Sequence, residues 1–354
     1  MDLDHPRQVT ALDQDDMLAH ITQLPTLCEQ AWALAQAVEL PRSYGAPRQI
    51  IVSGMGGSAI GGALLQGLAL EECAVPITVI RGYSLPAYVQ GPDCLVIASS
   101  YSGNTEETLS AVHEALNRNA RVLAVTTGGQ VADLAQSRGF PAVRYDYPSQ
   151  PRAALPYSFL LLAGVLWKLG LLNDLSTDVG EAVRVMRDWR TEIQPEVPSS
   201  GNQAKALAQR LAGRLPVIYG AGFLAPVANR WKTQFNENAK HWAISEEMPE
   251  LNHNAVVGYG HPLAVRDEAL VVMLRSSLDH ARIQARWDVT RELLERESVA
   301  SETLHSRGSS RLAQILSLVL FGDYVSYYLA LLNDADPTPI GPIAFLKHRM
   351  AEMG

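Results

Sequence analysis

Two clusters of glycines and hydroxyls are the places where this chain could hold an anion. The first is Gly54-Met55-Gly56-Gly57-Ser58, which follows the β-type run Gln49 to Ser53 and precedes the helical run Ala63 to Leu68. A strand that turns into a helix through glycines leaves backbone N–H groups free at the helix's positive end, with no side chain blocking a phosphate. No Gly-Lys-Ser/Thr follows, so this is not a P-loop, and the glycine spacing fits the dinucleotide fingerprint poorly. The second cluster is Ser100-Tyr101-Ser102-Gly103-Asn104-Thr105, directly after the apolar run Cys94 to Ser99. Ser100, Ser102 and Thr105 set three hydroxyls at the start of an expected helix, Thr105 to Asn117, which Thr105 or Asn104 should also cap. Hydroxyls and amides together suit a phosphate monoester held without a metal. Either turn alone could serve packing or capping, but two in one α/β domain favour the anion reading.

Groups that could move protons or balance charge lie further along. Arg152 follows Pro151, where the first alternating region gives way to a connector; a linker arginine on the surface is the bland alternative. Glu237 ends an otherwise basic helix in Glu237-Asn238-Ala239-Lys240. A carboxylate is unfavourable near a helix C-terminus, so either ion pairs to Lys240 or Arg230, or a function, must account for it. His253 sits between two asparagines in Glu250-Leu251-Asn252-His253-Asn254, a context that core packing explains poorly, and an imidazole both gives and takes protons near neutrality. An exposed loop histidine is the competing reading. Thr338 lies between Pro337 and Pro339, which restrict its backbone, and Lys347 belongs to a terminal helix whose charges are ordinarily solvated. Glu246, Glu247 and Glu250 read as a solvated or structural carboxylate cluster rather than a metal site.

The elements that must position these groups follow from the pattern of the whole chain. Its 354 residues, 47% hydrophobic, suit two domains, and the net charge of −8 argues against general affinity for nucleic acid or membrane surfaces. Cys28, Cys73 and Cys94 have no spacing for zinc or a disulfide scaffold. No signal-peptide order opens the chain and no apolar run is expected to reach membrane-spanning length, which places the protein in the cytoplasm. Asp13 to Ala37 has helical spacing that Pro25 should interrupt. From 46 to about 150, strands at Ile50–Ser53, Ile77–Arg81, Leu95–Ser99, Val122–Thr126 and Ala142–Tyr145 alternate with helices, as in a parallel sheet covered on both faces. Both clusters then lie at the carboxyl ends of strands. The alternation resumes at Leu215–Gly222, with further strands expected at Trp242–Ile244, Ala269–Leu274 and Val299–Leu304.

Gly-Gly-Ser at 56–58 and Ser-Tyr-Ser-Gly-Asn-Thr at 100–105 resemble the sugar isomerase (SIS) domain, a doubly wound α/β fold that binds phosphosugars. The Pro151-Arg152, Glu237-Asn-Ala-Lys, Glu250-x-Asn-His-Asn and Asp336-Pro-Thr contexts narrow the resemblance, over about 46–350, to the bifunctional phosphoglucose/phosphomannose isomerases. The resemblance implies an α/β chain with two doubly wound parallel-sheet SIS-type domains and an N-terminal helical arm. Its expected parts are the arm (1–45), a phosphosugar-binding SIS domain (46–150), connector helices (151–213), a second SIS domain with the catalytic Glu and His (214–335), and a C-terminal substrate loop and helix (336–354).

The implied activity is interconversion of glucose 6-phosphate and mannose 6-phosphate with fructose 6-phosphate through a cis-enediolate, with no metal or cofactor. Glu237 is then the base, His253 opens the ring from across a homodimer interface, and Arg152 stabilises the developing negative charge. Thr338 helps orient either C2 epimer, Lys347 approaches the substrate hydroxyls, and Gly57, Ser58, Ser100, Ser102 and Thr105 seat the phosphate. The alternative is a non-catalytic sugar-phosphate-binding regulator. An aminotransferase-type member of the superfamily would call for an added amidohydrolase domain, and none is visible.

Overall fold

The computed structural model describes residues 2–5 and 11–353. The helical spacing of Asp13 to Ala37 produces α1 (Met17–Thr22) and α2 (Leu24–Gln36), and the break falls at Gln23 rather than at Pro25. Proline is tolerated in a helix's first turn, where its missing N–H would have had no partner, so Pro25 begins α2 instead of ending α1.

Runs of β-branched and apolar residues then alternate with helices. In order come β1 (Gln49–Ser53), α3 (Gly56–Ala69), β2 (Ile77–Ile80), β3 (Cys94–Ser100), α4 (Glu106–Asn117), β4 (Arg121–Thr126), α5 (Gly129–Arg138) and β5 (Ala142–Arg144). The five strands form one all-parallel sheet in the order β2-β1-β3-β4-β5. Strand order reverses between β1 and β3, and in this topology the crevice beyond the carboxyl ends of those two strands is the ligand site. Both glycine and hydroxyl clusters sit there, because one follows β1 and the other follows β3.

Three connector helices, α6 (Leu155–Lys168), α7 (Ser176–Ile193) and α8 (Gln203–Leu211), lead to the second sheet. Pro156 again falls in the first turn of its helix, where its missing N–H costs no hydrogen bond. The rest comprises β6 (Leu215–Ala221), α9 (Ala225–Glu237), β7 (Ile244–Met248), α10 (Leu263–Glu268), β8 (Ala269–Arg275), α11 (Ala281–Arg296), β9 (Ala300–His305), α12 (Arg311–Leu332) and α13 (Gly341–Ala351). Their sheet is also all parallel, β7-β6-β8-β9. The strand expected at Trp242–Ile244 lies instead at Ile244–Met248. As an edge strand it tolerates Ser245, Glu246 and Glu247, which hid it from a hydrophobic pattern.

A helical layer joins the sheets. α6 is buried along nearly its whole length and packs against α2 and α3, while α12 packs against α7, α8 and α9. α12 corrects one expectation: it is long and apolar enough to cross a membrane, with a mean hydropathy of 1.7, but it lies 94% buried inside the protein. It also carries Asp323, which receives Arg230 Nη2 at 3.0 Å and Gln234 Nε2 at 2.8 Å from α9. A buried carboxylate tolerates loss of water only when paired in this way. α9 lies so close to α12 that a Cβ on Gly322 would overlap the indole of Trp231.

Candidate functional site

Neither helix at the switch-point crevice has a side-chain cap. α3 is preceded by Met55 and α4 by Thr105, and neither residue's side chain bonds to the helix, which leaves N-terminal amides available for an anion. The expected cap from Thr105 or Asn104 is thus corrected. The Asn104 carboxamide oxygen accepts from Gln130 N in α5 at 3.1 Å, and Thr105 Oγ1 accepts from Ser100 Oγ at 3.2 Å.

The hydroxyls differ in what they have left to offer. Ser58 Oγ accepts the amide of Tyr101 at 3.2 Å, joining the two clusters while keeping its own proton. Ser102 Oγ accepts from Asn104 N and likewise keeps its proton. Ser100 is buried, accepts from Gly103 N at 3.1 Å and gives its proton to Thr105, whose hydroxyl is therefore the outward member of that pair. Gly103, in the left-handed region at φ +67°, is packed so tightly that a Cβ would overlap the carbonyl of Gly128.

The crevice reaches the second half of the chain through Gly57. A Cβ there would lie 2.8 Å from the Pro151 carbonyl oxygen and 3.3 Å from Arg152 Cα, so only glycine lets the segment before α6 lie against the start of α3. That segment is fastened by aromatic contacts. Tyr101 Oη accepts from Ser149 N at 2.9 Å and lies within donating distance of the Tyr147 carbonyl, Tyr147 packs on Tyr157, and its hydroxyl meets His20 of α1. Burial pushes the Tyr147 hydroxyl up to about 12.

Arg152, 2% exposed, is almost fully committed. Nε donates to Asn238 Oδ1 at 2.6 Å, Nη2 donates to the carbonyls of Pro337 and Thr338 at 2.8 Å each, and Nη1 lies 3.4 Å from Glu237 Oε2. Burial lowers the guanidinium's proton affinity and Glu237 works against that shift. Arginine remains charged regardless. Glu237 is the last residue of α9, and its carbonyl accepts from Lys240 Nζ at 2.8 Å. The cationic head at this helix end offsets the unfavourable position of the Glu237 carboxylate. Lys240 stands in the left-handed region at φ +51°, and partial burial with repulsion from Arg152 brings its ammonium down to about 8. Thr338 is buried, its amide donates to Asp336 Oδ1 at 2.9 Å, and its Oγ1 finds no partner among the described residues.

Gly57, Ser58, Ser100, Ser102, Thr105, Arg152, Glu237 and Thr338 thus belong to one connected site. His253 and Lys347 make no hydrogen bond or ion pair with it among the described residues. His253 ends a 3₁₀ turn, Glu250–His253, whose flanking residues are tied down: Asn252 bonds to Thr290 and Arg286, and Asn254 to Glu250. The imidazole is left exposed. Lys347 lies on α13, an exposed helix that also presents Phe345, Leu346 and Met350 to solvent. Beside Glu237, a groove of about 380 Å³ runs between Asn236–Trp242 and Pro339–Ile343. Tyr101 and Asn238 also hold these residues together, yet their sequence contexts carried no assignment, adjacency to Ser100 and Glu237 being the available signal; Lys240, expected as an ion-pair partner of Glu237, bonds to its carbonyl instead.

Residues 200–350 match the family profile of the bacterial phospho-glucose isomerase C-terminal SIS domain. A bifunctional phosphoglucose/phosphomannose isomerase of Caldicellulosiruptor bescii is 41% identical over 95% of this chain and 99% of its own. One from Aquifex aeolicus is 34% identical over 85% of this chain and 90% of its own. Among solved structures, a hypothetical protein from Thermus thermophilus superposes with a TM-score of 0.74 at 17% identity, covering 98% of this chain and 93% of that one. Tagatose-6-phosphate ketose/aldose isomerase from Escherichia coli superposes at 0.71 and 17% identity, covering 92% and 95%. The fold is that of the SIS sugar isomerases, and by sequence this chain belongs to the bifunctional phosphoglucose/phosphomannose isomerase family.

Proposed function

We propose that this chain interconverts glucose 6-phosphate and mannose 6-phosphate with fructose 6-phosphate, with Glu237 as the base. The observation that supports it most is the 3.4 Å approach of Arg152 Nη1 to Glu237 Oε2, on a segment that also lies against the start of α3. A carboxylate able to take a proton next to a carbonyl, with a cation beside it, is what an enediolate intermediate requires.

In this reading the 6-phosphate rests on the N-terminal amides of α3 and α4 and on the hydroxyls of Ser58, Ser102 and Thr105. That grip does no chemistry but brings C1 and C2 within reach of Glu237. Once the ring is open, Glu237 removes the C2 proton of the aldose. The electron pair forms the C1–C2 double bond, and the former carbonyl oxygen becomes an oxyanion facing Arg152 Nη1. Transfer of the O2 hydroxyl proton to O1 moves the negative charge to O2, and return of the first proton to C1 as the C2–O2 carbonyl forms gives the ketose. Glucose and mannose 6-phosphates differ only at C2, so one base serves both if the substrate turns about C2–C3 beside the hydroxyl of Thr338, which has no partner among the described residues.

His253 and Lys347 complete the reading from outside this chain's own site. We assign ring opening to His253 of a second copy in a homodimer, since the histidine turn is anchored with its imidazole outward. The apolar side chains on α13 and the 79% exposed Trp242 provide surface for that copy to cover. Lys347 then approaches the sugar hydroxyls. Three unbridged cysteines suit a reducing cytoplasm.

The direct test is formation of fructose 6-phosphate from each aldose phosphate, with chelator present, by the native chain and by Glu237→Gln. The native chain should convert both, and Glu237→Gln should bind phosphosugar yet lose isomerisation. Near-native turnover by Glu237→Gln would remove the base assignment, and loss of native activity in chelator would point to a metal-dependent reaction.

A further inference from the structure

Arg152 spends its five N–H groups unevenly. Nε serves Asn238, both hydrogens of Nη2 serve the Pro337 and Thr338 carbonyls, and one on Nη1 faces Glu237. A single N–H, on Nη1, is left over among the described contacts. The direction of that group depends on the plane of the guanidinium, and the carbonyls on Nη2 belong to a loop that Arg152 itself holds in place. The firm support is on the Nε side. Asn238 is completely buried, its Oδ1 receives Nε at 2.6 Å, and its Nδ2 donates to Ser326 Oγ at 2.9 Å. Ser326 Oγ in turn donates to the Asp323 carbonyl at 2.7 Å, within α12, the most enclosed helix of the protein. Every polar atom of the Asn238 carboxamide points along this line, which runs from the core to the guanidinium.

We propose that Asn238 is a positioning residue for the isomerisation: anchored on Ser326, it fixes the guanidinium plane of Arg152 so that the free Nη1 N–H and the Glu237 carboxylate address the same point of the substrate. This rests on the reading of Glu237 as base and Arg152 as the oxyanion's partner. Asn238 touches no substrate atom; it acts through Arg152. A carboxamide suits the position better than a carboxylate. Arg152 and Glu237 already form a charge pair with Asp323 and Arg230 close behind them, and Lys240 and Asp336 flank it, so a further buried charge would disturb the balance.

Three variants test the proposal, each assayed for both aldose phosphates across pH and checked for thermal unfolding. Asn238→Leu keeps the bulk and removes the acceptor. It should lower kcat by about tenfold or more while KM stays within about threefold, because the lost interaction is made with charge that develops only in the transition state. Asn238→Asp keeps an acceptor for Nε and should recover part of that loss. The split between kcat and KM in folded Asn238→Leu, and its partial rescue by Asn238→Asp, are readouts that a purely structural role would not move. Ser326→Ala releases only the far anchor and should lower kcat by a smaller factor with KM unchanged; it decides the matter if the Asn238 variants fold poorly. Folded Asn238→Leu with native kcat, no recovery of kcat in Asn238→Asp over Asn238→Leu, or native kinetics in Ser326→Ala would each overturn the proposal. If Glu237→Gln is inactive while the Asn238 variants behave as native, only the role of Asn238 falls. If Glu237→Gln is active, the underlying reading falls with it.

Discussion

Arg152 Nη2 donates to the carbonyl of Thr338 at 2.8 Å, so the residue leading into α6 holds the loop that follows α12. One guanidinium thereby joins three stretches of chain: the lead-in to α6, the end of α9 and the proline-bounded loop at Thr338. Lysine cannot reproduce this, because it replaces a planar fork with a single point charge.

Arg152→Lys should therefore lower kcat about 10²- to 10³-fold, the usual loss for one oxyanion donor. It should also destabilise the fold, since buried carbonyls left without donors cost about 1–3 kcal/mol each. Steady-state kinetics and denaturant unfolding measure the two effects. Turnover within a few-fold of native would show that the charge alone suffices and that the fork has no role.

Gly57→Ala tests the contact between the start of α3, where we propose the phosphate rests, and the Arg152 segment. Its Cβ meets backbone, the Pro151 carbonyl oxygen at 2.8 Å, which cannot swing aside as a flexible side chain would. A shift of about 1 Å between the phosphate seat and Glu237 should cost up to about 10² in kcat/KM. Gly180→Ala is the control: a Cβ there meets nothing within 4 Å, and the substitution in α7 should stabilise by about 0.5–1 kcal/mol. Unchanged kinetics in Gly57→Ala would mean that the two segments need not touch.

Lys240 sets a pH dependence. Its folded pKa of about 8 lies below the reference value of 10.5, so the folded chain binds that proton more weakly than the unfolded chain. The group's contribution to stability is present above pH 10.5 and is lost as pH falls through about 8. The melting temperature of the native chain minus that of Lys240→Met should accordingly rise between about pH 7.5 and 10. A difference that stays flat across this range would contradict the shifted ammonium.

Subunit mixing tests the assignment of His253. Glu237→Gln subunits lack only the proposed base, while His253→Ala subunits lack only the imidazole. If the imidazole acts across the interface, random re-pairing of the two inactive proteins in equal amounts creates heterodimers with one intact site, and about a quarter of native activity returns. Activity that stays at the level of the parents would place His253 in its own chain's site or outside the mechanism.

What could be read along the chain was local. Glycines between a strand and a helix, hydroxyls at a helix start and alternating apolar runs are short-range features, and they are enough to locate both strand-to-helix turns of the crevice and most strands. Even the misplaced ends have local causes: Pro25 sits where a helix begins, and the polar β7 lies at a sheet edge. Only the tertiary structure decided the rest. Arg152 and Glu237 are remote in sequence and meet because α9 packs beside α3 and the Pro151 segment fits against Gly57. The division of labour between Ser100, which turns its proton inward, and Thr105 depends on which hydroxyl the crevice encloses. Asn238 is indistinguishable in sequence from its neighbour Asn236, but the end of α9 turns it toward Ser326 and Arg152. Residue types state what a site is able to do, whereas direction and distance between remote side chains arise only from the packing of helices and sheets.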